Sequence, residues 1–337
     1  MTPSRFALAA LAIGLSTPLC AAPTSYPLTL ENCGETLTFA RAPERSVTVG
    51  QAATEVLYAL GLAETVQGTS VWFTDVPEKF REMNAGVERM ADNDPSFESI
   101  VAKRPDLVAV QFIWHIGPEG IVATRDQFHE LDIPTYVMPA DCVEKDNTVG
   151  VDGTRLQPFS TATLHQGVSE LAEIFDVQDR GAALVAELQA REAAAIARAQ
   201  ALDVKDASAV FWFSSAEMDI DPYVAGRKGA PGYMMEQLGI RNVVDSDEEW
   251  PVVGWETIAR ANPSLIVIAE MNRRRFPADS AAAKLEFLRS DPVASQMEAV
   301  KQGRIVVMDA HAMDATLRSI DGLEILAKGL EKIGMAQ

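Results

Sequence analysis

Short apolar, β-branched runs recur along the chain at residues 46–49, 107–110, 135–138, 209–213, 265–269 and 304–308. They are continuous rather than alternating, which is the pattern of strands buried on both faces of a parallel sheet. Helical spacing fills the intervals. Residues 54–60 place Val56, Leu57 and Leu60 on one side, and residues 125–131 do the same with Phe128 and Leu131. This alternation predicts an α/β fold with parallel sheets covered on both faces.

The middle of the chain breaks the pattern. No strand signal occurs between Ser160 and Leu202. Residues 163–175 read as one helix. Residues 179–202 read as a second, started by Asp179 as its cap, with Leu184, Leu188, Ala195, Ala199 and Leu202 along one stripe. At 1.5 Å per residue the second helix would run about 36 Å. It is rich in Ala, Glu and Arg rather than Gly, Ser and Pro, so it reads as a stiff connector. A covering helix within a single domain is the alternative.

A repeat favours the connector. Phe97-Glu98-Ser99-Ile100-Val101-Ala102-Lys103-Arg104-Pro105 matches Trp255-Glu256-Thr257-Ile258-Ala259-Arg260-Ala261-Asn262-Pro263. Each run leads into an apolar strand, Leu107-Val108-Ala109-Val110 or Leu265-Ile266-Val267-Ile268. A short helix stopped by proline before a buried strand, present in both halves, points to two equivalent lobes. The predicted architecture is α/β, two lobes with parallel sheets joined by one long connecting helix. The expected divisions are 1–22, 23–176, 177–204 and 205–337.

The first segment reads as a signal peptide. Arg5 is the only charge among the first 30 residues, an apolar run spans Phe6 to Leu15, and Ser16, Thr17 and Pro18 then lead to Cys20-Ala21-Ala22. The apolar run is shorter than the roughly 20 residues that span a bilayer. Cleavage after Ala22 sets Pro23 beside the cut, so cleavage after Ala21 is the other choice, and lipidation of Cys20 is disfavoured by the bulk of Leu19. A periplasmic, monomeric mature chain without membrane insertion is expected.

Charge and cysteines sharpen this picture. The chain carries 48 acidic and 29 basic residues, so losing Arg5 leaves 28 − 48 = −20. Nucleic acid and anionic membranes are poor partners for such a body. Without Cys20 two cysteines remain, Cys33 and Cys142, and an oxidising compartment predicts that they pair. Four dispersed histidines, His115, His129, His165 and His311, do not suggest a bare-metal site. No GxSxG, GxxxxGK[ST], HExxH or GxGxxG run marks an enzyme.

Several segments, in order, carry a family resemblance. They are Ala42-Pro43-Glu44-Arg45-Ser46-Val47, Glu55-Val56-Leu57-Tyr58-Ala59-Leu60-Gly61-Leu62, Val66-Gln67-Gly68-Thr69, the first repeat, Gly232-Tyr233-Met234-Met235-Glu236-Gln237-Leu238-Gly239, the second repeat, and Val300-Lys301-Gln302-Gly303-Arg304-Ile305-Val306-Val307-Met308-Asp309. Together they resemble the periplasmic binding proteins of ABC importers for ferric siderophores, haem and corrinoids, over nearly the whole mature chain. The resemblance implies two Rossmann-like lobes with parallel sheets on one long, stiff connecting helix, with the ligand cleft between the lobes, small opening motions and no catalysis. It implies no cofactor of the protein's own, an Fe(III)-siderophore-type chelate as ligand, and an ABC permease with its ATPase as partners. It also implies that one exposed carboxylate per lobe docks on permease arginines; the matching residues are Glu98 and Glu256.

Ligands of α/β sheets sit beyond the carboxyl ends of the strands. Reading outward from those ends gives Trp72, Trp114, Trp212, Tyr223, Arg227, Trp250, Arg273, Arg274, Arg275 and His311 as ligand-binding candidates. Gln51, Phe73, Phe112, His115, Phe213 and Lys228 are their neighbours in the same reading. Bulky, often anionic chelates suit aromatic walls with guanidinium groups. The Arg273-Arg274-Arg275 run is the sharpest feature in so acidic a chain. Corrinoid, haem and free metal are the alternative ligands, and a periplasmic hydrolase is a distant one.

Overall fold

The structure is a computed structural model that describes residues 22–149, 153–202 and 206–334. The signal-peptide expectation, including Cys20, therefore lies outside the described residues apart from Ala22. Among those residues no helix is long and apolar enough to cross a membrane.

Each half is built on a five-stranded sheet. The first has the order Arg89–Ala91, Val66–Ser70, Ser46–Val49, Leu107–Val110, Thr135–Val137, with every pairing parallel. Val47, Val49, Val108 and Val110 are fully buried, as continuous apolar strands require. The second sheet runs Tyr223–Val224, Ser208–Ser214, Leu265–Glu270, Ile305–Asp309, with Arg241–Asn242 also pairing to Ser208–Ser214. Its pairings are parallel except that Tyr223–Val224 adds an antiparallel edge. The strands Val66–Ser70 and Arg89–Ala91 carry little continuous apolar signal, and sheet pairing supplies what their sequences lack.

The repeat forms equivalent helices, Phe97–Val101 and Trp255–Ala261. Both runs end on a residue of positive φ seven positions on, Arg104 at 49° and Asn262 at 46°, just before the proline. The first helix is capped by Ser96, whose side chain accepts from the Ser99 N–H.

The connecting helix spans Gln178–Gln200. It starts one residue before Asp179, with Val177 at the cap position and no side-chain cap bond, so Asp179 lies in the first turn and is not the cap. Its buried face, with Leu188, Ala195 and Ala199, packs on both Ala162–Ile174 and the C-terminal helix Arg318–Gly334. Gly181 permits the first contact, because a Cβ there would stand 2.4 Å from the Ala172 Cβ. Arg191 ties the connector to the C-terminal helix through Asp321 and Glu324, the latter at 2.9 Å.

Ahead of the first sheet, Leu28–Asn32 and Glu35–Phe39 form an antiparallel hairpin that the apolar pattern does not reveal. At its turn Cys33 forms a disulfide with Cys142, the Cα atoms 5.5 Å apart.

Candidate functional site

The carboxyl ends of the two sheets face each other across a cavity of about 210 Å³. On the first lobe its floor is set by Gly50 and Gln111. Gly50 has φ 121°, and a Cβ there would lie 2.2 Å from the Gln111 Cβ, so glycine is required by both conformation and space. The Gln111 side chain then caps the helix Gln51–Ala59, its Oε1 accepting from the Ala52 N–H at 2.9 Å.

Aromatic rings from both lobes wall the cavity. Phe73 and Phe112 meet edge to face at 6.2 Å, and Trp114 follows Phe112 at 6.5 Å. From the second lobe Phe213 and Trp250 pack with tilted rings, their centroids 4.5 Å apart. Trp114 is the most open of the five, and Phe73 the most enclosed. The carboxyl-terminal reading thus places Trp114, Trp250, Phe73, Phe112 and Phe213 together.

Two arginines enter without an ion pair within 4 Å among the described residues. The Arg273 guanidinium lies 4.2 Å over the Phe73 ring, and its Nε is buried without a hydrogen-bond acceptor. Burial holds its pKa below the usual arginine value. Arg275 lines the same cavity and is exposed. Arg274 between them turns away. It adopts φ 54° and binds Glu270 and the Asp279 carbonyl instead. The run therefore delivers two of its three charges.

Packing places several sequence candidates away from the cavity lining. Trp72 is buried in the first lobe; its Nε1 donates to Thr69 Oγ1 at 3.1 Å, and Arg89 covers its ring. Trp212 lies in the second core against Trp255 and Phe287. Within Ser208–Ser214 successive residues point to opposite faces, so Phe213 reaches the cavity where Trp212 cannot; Phe73, just past the end of Val66–Ser70, lines the cavity where Trp72 does not. Tyr223 is exposed on the antiparallel edge, opposite Ser214, and outside the cavity lining. Arg227 is exposed and neutralised by Asp245 and Asp247. His311 is fully buried behind Phe73, its ring stacked on that ring at 5.8 Å. Gln51 is buried, its oxygen accepting from the Phe73 and Thr74 N–H groups. His115 is buried under Trp114, 3.4 Å from Asp94. Hydrogen bonding to His115 holds the Asp94 carboxyl below its ordinary range.

Other polar lining residues escaped the sequence reading. A small antiparallel pair, Lys145–Asp146 with Thr154–Arg155, carries Lys145 and Arg155 inward. Lys145 meets Asp141 at 2.5 Å, and Arg155 meets Glu249 of the opposite lobe at 2.7 Å. Burial pushes the Asp141 carboxyl up, and the nearby Lys145 only partly offsets this. Asp314 is pushed up by burial as well. The one available signal for this group was Cys142, which anchors the segment just ahead of Lys145. In so acidic a chain, Glu249 beside Glu248 reads as background.

Glu98 and Glu256, the twin residues of the repeat, lie outside the cavity. Both are exposed in the first turns of their helices. Neither side chain has a hydrogen-bond or ion-pair partner among the described residues.

A family model described as periplasmic binding protein matches residues 47–312. An uncharacterized ABC transporter substrate-binding lipoprotein of Bacillus subtilis, YvrC, is 20% identical over 308 residues, covering 90% of this chain and 86% of that protein. Among solved structures, a periplasmic binding protein from Veillonella parvula superposes with TM-score 0.73 at 21% identity, covering 90% of this chain and 97% of the other. An ABC-type Fe3+-hydroxamate transport system protein from Saccharomonospora viridis gives 0.71 at 24%, covering 91% and 99%. The periplasmic heme-binding protein RhuT from Roseiflexus gives 0.64 at 20%, covering 86% and 99%.

Proposed function

We propose that this chain, which belongs to the family of periplasmic binding proteins, is the solute-binding component of an ABC importer and captures a ferric-siderophore-type chelate between its lobes. The observation that carries this reading is the pairing of aromatic walls from both lobes with Arg273 and Arg275, which have no carboxylate within 4 Å among the described residues. Such a cleft suits a bulky ligand that brings oxygen-rich or negative surface. The chemistry is recognition and release, with no bond made or broken by the protein.

The lining supports a siderophore over the other metal-bearing ligands. Haem iron is held by His, Cys, Met or Tyr side chains. Met138 is the one such residue in the lining, while His115 and His311 sit behind aromatic rings. A siderophore completes the coordination of its own iron and needs none of these. Among the described residues no group of three or more His, Cys, Asp or Glu is placed to hold a bare ion.

In the same proposal Glu98 and Glu256 dock the loaded protein on a permease. Carboxylates held apart on a stiff body meet arginines with directional, charge-assisted bonds. The test has two arms. Tryptophan fluorescence of the mature protein should be quenched by a ferric chelate and not by its iron-free form; silence across siderophores and a response to haem or bare iron would replace the ligand class. Charge reversal of both Glu98 and Glu256 to Lys should abolish uptake at unchanged ligand affinity; lost affinity would remove the docking assignment.

A further inference from the structure

We propose that Glu249 sets the charge specificity of the cleft: its carboxylate occupies the place that an anionic group of the ligand takes on binding. The inference rests on the chelate-binding reading above and deepens it.

The pair crosses the cleft. Arg155 Nε donates to Glu249 Oε1 at 2.7 Å, and Lys145 Nζ lies 3.7 Å from Oε2. Both cations belong to the small hairpin of the first lobe, whereas Glu249 comes from the irregular segment after Asn242 in the second. The side chains of Arg155 and Lys145 are only 4% and 5% exposed. A guanidinium so deeply placed requires an anion nearby, because an uncompensated buried charge is strongly unfavourable.

The two carboxylates of this cluster are not equivalent. Asp141 is locked inside its own lobe, with the Ile113 N–H on one oxygen and Lys145 on the other. Among the described residues, Glu249 has side-chain hydrogen-bond and ion-pair partners only across the cleft. It sits next to Trp250 in the cavity wall. It also faces Asp314, whose carboxyl its charge helps to raise. Glu249 is therefore the group that an incoming anion can displace, inheriting Arg155 and Lys145 while Glu249 swings toward solvent. An uncharged ligand has nothing to exchange and leaves the pair closed.

The experiment compares wild type with Glu249→Gln in titrations against an anionic ferric tris-catecholate and an uncharged ferric tris-hydroxamate. Removing the internal competitor should tighten the anionic complex by roughly tenfold and leave the uncharged one within about twofold. Glu249→Asp, which keeps the charge on a shorter arm, should move in the same direction by less, and serves if the Gln variant does not fold. Equal changes for both chelates, or weaker binding of the anionic one, overturn this inference alone and make Glu249 a structural tie. A wild-type protein that binds no chelate overturns the proposed function and this inference with it.

Discussion

Adjacent side chains at the strand ends divide between core and cleft, and the division decides which substitutions affect binding. Phe73 and Phe213 face the cavity while Trp72 and Trp212 fill the cores. The same separation operates within the arginine run. Arg273→Ala should weaken ligand binding by about tenfold or more, since hydrogen bonds to charged groups contribute about 1.5–3 kcal/mol. Arg274→Ala should leave affinity unchanged, because that guanidinium is spent on Glu270 and Asp279; calorimetric titration of both variants checks this. Lys284 lies behind the second wall, fully buried, with its Nζ donating to the carbonyls of Phe213 and, at 2.7 Å, Ala269. Burial lowers its pKa from 10.5 to about 7. Between those values the unfolded chain holds a proton that the folded protein has released, so stability contributed by this site rises with pH across the window and is lost as pH falls through it. The rise reflects relief of a charge-burial penalty that is present in full below about pH 7. Lys284→Met should flatten this rise in denaturation midpoints measured from pH 7 to 10; an unchanged slope would assign it elsewhere.

At the scale of elements, the apolar runs locate the buried strands to within a residue or so, because a strand covered on both faces has little freedom in composition. Ser46–Val49 and Leu107–Val110 lie where the pattern puts them. The twin helices are equally legible, since proline stops each one at a matched position. The N-terminal hairpin and the pair Lys145–Asp146 with Thr154–Arg155 are not. Their residues are polar on at least one face; the hairpin is held by Leu37 and Phe39 buried in the first-lobe core and by the bond from Cys33 to Cys142, and the second pair by the ion pairs of Lys145 and Arg155. Replacing both cysteines by serine should destabilise the protein by about 2–5 kcal/mol, read from urea midpoints. It should also weaken ligand binding, because the segment that carries Lys145 and Arg155 loses its anchor.

For the whole molecule, the decisive contact is a buried clasp between the lobes. Arg318 of the C-terminal helix grips both oxygens of Glu55, at 3.0 and 2.6 Å, and also binds Thr74 and Asp309. With the connecting helix packed against both halves, this clasp opposes wide opening. Arg318→Met should cost about 3–5 kcal/mol by stranding the Glu55 charge. The double variant with Glu55→Gln should cost less than the sum of the single changes. Chemical denaturation of all three variants measures the coupling, and strict additivity would remove the clasp from the account.

The sequence by itself determined the α/β class, the two-lobe repeat, the long connecting helix and, once Cys20 is set aside with the leader, the pairing of Cys33 with Cys142. Each of these depends on local periodicity, on a repeated stop signal or on the count of remaining thiols. Only the tertiary structure decided which aromatic of each adjacent pair meets the ligand, which arginines remain without a carboxylate, and that Lys145, Arg155 and Glu249 join across the cleft. Those outcomes depend on side-chain direction and on contacts between residues far apart in the chain, such as the 2.7 Å bond from Arg155 to Glu249. Neither is encoded in the spacing of residues along it.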